Sequence, residues 1–101
     1  MTTLYSIITQ DKPNMTATRI HHLAAHLTHV EAEIDRFVVA GPLRDEEGII
    51  TGSLLVVKAD NAAEAQAFLE LDPYYQADIW AGIEIYAFSA AAGDWVGGKT
   101  W

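Results

Sequence analysis

The chain has 101 residues, half of them hydrophobic and a fifth charged, with 14 acidic against 6 basic side chains and no cysteine. This is the length of one domain, large enough to bury over about 60% of its unfolded surface without staples, and the lack of thiols removes disulfide frameworks, thiolate metal sites and cysteine nucleophiles. The net charge of -8 leaves Lys12, Arg19, Arg36, Arg44, Lys58 and Lys99 scattered, with no basic stripe for nucleic acid and nothing to draw the chain to an anionic membrane.

The opening residues Met1 to Ile8 carry no basic flank and no apolar run ended by small residues, so no signal peptide is read there and a cytoplasmic location is expected. No apolar run approaches the roughly 20 residues of a membrane span.

Residues 3–9 are rich in β-branched and aromatic types and stop at Gln10-Asp-Lys-Pro-Asn, which predicts a first strand. From about residue 16, Ile20, Leu23, Leu27, Val30 and Ile34 recur every three or four positions, which places them on one stripe of a helix ending near Asp35. Phe37 to Pro42 reads as a short buried strand closed by Gly41-Pro42, Arg44 to Gly48 as an exposed hairpin loop, and Ile49 to Ala59 as a third strand. Asp60 or Asn61 can cap a second helix, with Glu64 placed to close a capping box on Asn61 and with Ala65, Phe68 and Leu69 on its apolar face. Asp72-Pro73 interrupts that helix, a helical turn runs through Ala77, and Ile79 to Phe88 alternates as a fourth strand.

The resulting order, β-α-β-β-α-β, is the split βαβ or ferredoxin-like α+β arrangement, a four-stranded antiparallel sheet with both helices on one face. Leu54 and Val56 then face one side of the sheet and Leu55 and Val57 the other. A sheet apolar on both sides predicts a homodimer packed sheet to sheet. Residues 1–90 read as the domain and 91–101 as a tail.

The tail spells Gly93 to Thr100 as a literal G-x-x-x-x-G-K-T phosphate loop. That loop needs a helix leading out of it to present its N-terminus to phosphate, and one residue remains after Thr100. The segment is therefore read as a mobile or subunit-contacting tail, with Trp95 and Trp101 available to cover apolar surface.

Two polar features could carry chemistry. The first helix holds His21, His22, His26 and His29. His26 lies nearest the apolar stripe, and the i, i+4, i+7 spacing of His22, His26 and His29 could present three imidazoles to zinc or nickel, with Glu33 on the same flank. Surface histidines that bind no functional metal are the simpler reading, and no metal or other cofactor is expected. The second feature is Asp72-Pro73, the pattern of an N-cap followed by the first helical residue. Asp72 could also face His26 and fix its tautomer, leaving the other ring nitrogen as acid or base near neutral pH. A carboxylate has oxygens for both roles.

Arg19 followed by His26-Leu27, then Val39-Ala40-Gly41-Pro42-Leu43, Gly52-Ser53-Leu54-Leu55-Val56-Val57, Asp72-Pro73-Tyr74 and Ile83 to Phe88 together resemble the YciI-like family over about residues 3 to 88. The resemblance implies a dimeric α/β barrel of ferredoxin-like subunits, related in fold to muconolactone isomerases. It also implies a His and Asp pair in a pocket, carried here by His26 and Asp72, and it brings to mind dehydrochlorination of a chlorinated hydroxyhydroquinone. Two departures stand out. Where members usually carry a basic residue shortly before the histidine, this chain has His22 and Leu23, and the tail after Phe88 is long and tryptophan-bearing.

The expectation is a cofactor-independent lyase or isomerase acting on a cyclic or aromatic small molecule. His26 would move the proton and Asp72 would orient it, Gly41, Pro42 and Leu43 would shape the pocket wall, and Ser53 would donate to a developing oxyanion. The alternative is a non-catalytic ligand-binding or accessory dimer, since fold alone does not choose between the two.

Overall fold

In the computed structural model, which describes residues 3–101, alternation along the strands decides what each side of the sheet meets. Met1 and Thr2, the start of the segment read above as carrying no signal peptide, lie outside the described residues. Strand β1 (Leu4–Asp11) is central, paired antiparallel with β3 (Ile50–Lys58) on one side and β4 (Trp80–Phe88) on the other, and β2 (Phe37–Arg44) extends the sheet to the order β2-β3-β1-β4. Helices α1 (Thr16–Ala32), α2 (Ala62–Glu70) and the single turn α3 (Pro73–Gln76) complete a ferredoxin-like α+β unit. Ile7, Leu55 and Val57 pack with Phe68 and Leu69 of α2 in the core, whereas Leu54, on the opposite side, is exposed. No helix of the described residues is long and apolar enough to cross a membrane.

Asn61 is the cap of α2, its Oδ1 accepting from the Glu64 N–H at 2.8 Å. The expected box is half made, because the Glu64 carboxylate lies 3.7 Å from Arg36 Nη2. Strand β2 does not close at Gly41-Pro42 but runs on to Arg44, with Pro42 opposite Ser53. As an edge strand it loses no interior ladder bond to the proline. At Gly52 a Cβ would sit 2.1 Å from the Thr9 carbonyl oxygen, so β3 can approach β1 here only with glycine.

Helix α1 departs most from its pattern. It ends at Ala32, with a 3-10 turn at Ile34–Arg36, and its one buried residue is Arg19. Ile20, Leu23, Leu27 and Ile34 are exposed, while His22, His26 and His29 are half-buried. The apolar stripe therefore does not face the core. Polar contacts set the helix's rotation, Arg19 reaching into the sheet and His26 reaching Asp72, so the stripe is turned toward a cleft and its rim.

The tail is ordered as a small hairpin, β5 (Ala92–Gly93) paired with β6 (Gly98–Lys99) across a 3-10 turn. The phosphate-loop letters thus fall on a hairpin, with Gly98 and Lys99 in a strand where that loop would need the start of a helix. Trp95, at its tip, is 84% exposed and Trp101 is likewise open.

Candidate active site

Asp72 is the N-cap of α3, preceding Pro73 at the first helical position, and it is 2% exposed. Its Oδ1 accepts from the Tyr74 N–H at 2.9 Å and lies 2.9 Å from His26 Nδ1. Both contacts fall on the same carboxylate oxygen. Because that oxygen accepts, Nδ1 is the donor, which leaves the lone pair on Nε2. Tyr74 holds the ring from below, stacked on the imidazole with centroids 4.0 Å apart and planes 8° from parallel.

Seven residues before His26, two helical turns along the same face, Arg19 turns inward. It is 7% exposed. Its Nε donates to Asp11 Oδ2 at 2.6 Å, and its Nη2 donates to Asp11 Oδ1 at 2.9 Å, to the Gly52 carbonyl at 3.3 Å and to Ser53 Oγ at 3.1 Å. None of these bonds uses Nη1. Since Ser53 Oγ accepts from the guanidinium, its own O–H is left to point elsewhere. Tyr74 joins the two groups, its O–H donating to the Arg19 carbonyl and its ring lying under the guanidinium at 5.0 Å.

These side chains border a cavity of about 250 Å³ between α1 and the β2–β3 end of the sheet. His26, Asp72, Gly41, Pro42 and Ser53 all line it, and Leu43 does not. For Leu43 the reason is alternation along β2: Pro42, opposite Ser53, is on the cavity side, and Leu43, opposite Gly52, turns to the other face of the sheet, where it is exposed. Trp80 also borders the cavity, and its buried Nε1 has no partner among the described residues.

The possible three-imidazole metal set does not assemble. His22 meets His21 edge to face, His29 lies by Phe68, and His26 is engaged by Asp72. Among the described residues no three His, Cys, Asp or Glu side chains come together as a metal site. What sequence reasoning left unplaced is the Asp11–Arg19 pair. The signal was present: Arg19 and His26 are an i, i+7 pair, and Asp11 continues the inward alternation of Ile7 and Thr9. Arg19 lies seven positions before His26, upstream of His22 and Leu23.

Burial raises the Tyr74 phenol above its ordinary value of 10.0, and the Asp72 charge adds to this while Arg19 opposes it. A group that holds its proton more tightly when folded contributes stability that is complete below the unfolded value and lost as pH rises through the folded one. Urea stability is therefore expected to fall as pH climbs above about 10, and Tyr74→Phe to show a smaller fall over the same range.

The YCII-related domain model matches residues 3–89. Protein YciI of Escherichia coli is 29% identical over 93 residues, spanning 84% of this chain and 95% of that protein. A Haemophilus influenzae protein is 34% identical over 94 residues, spanning 83% and 94% respectively. Among solved structures, 5-chloro-2-hydroxyhydroquinone dehydrochlorinase (TftG) from Burkholderia phenoliruptrix, in complex with 2,5-dihydroxybenzoquinone, is similar with a TM-score of 0.77 and 28% identity, over 90% of this chain and 96% of that one.

Proposed function

The chain belongs to the YCII-related domain family, and from that premise we propose that it is a small-molecule enzyme of the lyase or isomerase class, moving a proton on a cyclic or aromatic substrate without a cofactor. The observation that carries this reading is the 2.9 Å contact of His26 Nδ1 with buried Asp72, beside a cavity. Nε2 takes a proton from a C–H or O–H next to a carbonyl or phenol carbon, and the pair left behind is drawn toward the adjacent oxygen. Ser53 O–H and Arg19 Nη1 receive that developing charge, which costs little reorganisation because Asp11 already fixes the guanidinium. In a lyase outcome on a phenolic ring the imidazolium returns the proton to the carbon bearing the leaving group, making it tetrahedral; loss of a second hydroxyl proton then forms a carbonyl and a new ring double bond as the leaving group departs with its bonding pair. In an isomerase outcome the imidazolium returns the proton at another carbon. Asp72 keeps the imidazole in its tautomer and stabilises the imidazolium that forms.

The similarity to a dehydrochlorinase supports a halogenated hydroxyhydroquinone as the first substrate to try and 2,5-dihydroxybenzoquinone as a ligand probe. Chloride release from 5-chloro-2-hydroxyhydroquinone, with loss of release in His26→Gln, is the expected result. Tight binding of the quinone probe with no turnover of this or related substrates would favour the non-catalytic ligand-binding alternative.

We also take the protein to work as a cytoplasmic homodimer of the 1–90 domain, joined through the sheet faces away from the helices. Val38, Leu54, Phe88 and the tail residue Trp95 are exposed there around an apolar groove, a face that a second copy's sheet would cover. Size-exclusion chromatography with light scattering is expected to give twice the chain mass at micromolar concentration, and a monomer would defeat this part of the proposal.

A further inference from the structure

We infer that the ligand of this cavity carries an apolar arm, an alkyl or aryl substituent leaving the reacting head and running between α1 and β2. This rests on the reading of Arg19, Ser53 and His26 given above, and it adds a direction to the site. Along α1 the order is Arg19, then His26, then Val30; the guanidinium and the imidazole both lie against the Tyr74 ring, 5.0 and 4.0 Å from its centroid, and Val30 is about 6 Å further along the helix axis than His26. The sheet wall gives the same order independently. Pro42 is opposite Ser53, Ala40 opposite Leu55 and Phe37 opposite Val57, so Ser53 shares the Arg19 end and Phe37 lies at the far one. Donors stand at one end, the base lies between, and the other end is apolar on both walls.

The rim repeats the pattern. Leu23 is 43% and Leu27 51% exposed, and both line the cavity. A helix ordinarily turns such residues to the core, where each buried methylene is favourable. Here they are left for whatever enters. The cavity, about 250 Å³, exceeds the about 150 Å³ that takes a benzene ring, and its rim is open at Leu23 and Leu27, so an arm can extend along that rim.

The test compares 2,5-dihydroxybenzoquinone with its 3-propyl derivative by isothermal titration calorimetry on the intact protein. Burial predicts a gain of about fourfold per methylene, so the propyl compound is expected to bind at least tenfold more tightly. In Leu27→Asn, a change at an exposed position that the fold tolerates, the ratio of the two affinities is expected to fall toward one. Equal or weaker binding of the propyl compound while the parent quinone binds would overturn the arm alone, and so would a ratio untouched by both Leu27→Asn and Leu23→Asn. Binding of neither compound would overturn the arm together with the reading of the head on which it rests.

Discussion

Arg19→Met is expected to lower stability by about 3–5 kcal/mol and turnover by about 10²–10³-fold. The first effect comes from Asp11, whose side chain is 5% exposed and would be left as an unpaired charge under α1. Against a total stability of about 5–15 kcal/mol this is a large fraction, so loss of activity in the single variant would be ambiguous by itself. The pair Arg19→Met with Asp11→Leu separates the two effects. Replacing a buried ion pair by apolar groups of similar volume is often neutral or stabilising, so urea unfolding of the double variant is expected to return near the parent midpoint. Turnover is expected to stay low, because the guanidinium donor to the developing oxyanion is gone and Ser53 O–H alone remains. Recovery of turnover along with stability would show that Arg19 is a structural strut and has no part in the chemistry.

The same pair explains how far the sequence could be read. Element order followed directly from local pattern: the period of two in Ile83, Ile85 and Ala87 and the cap at Asn61 are local properties, and the structure places them as expected. The rotation of α1 is not local. Five apolar residues at helical spacing argue for a face turned to the core, yet a buried guanidinium and an imidazole on a neighbouring flank hold the helix another way. Periodicity counts apolar residues and gives no weight to two strong tethers whose partners, Asp11 and Asp72, lie on other elements. Asp72 and His26 were legible as a possible pair because Asp-Pro marks a cap and the family likeness supplied the partner. The Arg19 contacts to Asp11, Gly52 and Ser53 depend on strand register, which no single segment encodes. Leu43 lies off the cavity for a simpler reason: Gly-Pro looks like a stop, but the edge strand continues, and the alternation that puts Pro42 on the cavity side turns Leu43 to the other face.

His26→Gln is expected to cut turnover by about 10²–10⁴-fold with little loss of stability, since the ring is partly exposed and glutamine can keep part of its contact with Tyr74. The more decisive comparison is at Asp72, where cap and orienter share Oδ1. In Asp72→Asn the amide oxygen can still accept from the Tyr74 N–H, so α3 and the fold are retained. What is lost is the charge that stabilises an imidazolium and holds the Nδ1–H tautomer. Turnover is therefore expected to fall nearly as far as in His26→Gln while the unfolding midpoint moves little. Asp72→Ala removes the cap as well and adds about 0.5–2 kcal/mol of destabilisation, with no further fall in turnover because the dyad is already broken. Measuring kcat and urea midpoints for both variants gives a pattern that a purely structural Asp72 could not produce. If asparagine left kcat within a few-fold of the parent and alanine reduced stability and activity together, Asp72 would be the cap of α3 and His26 would act without it.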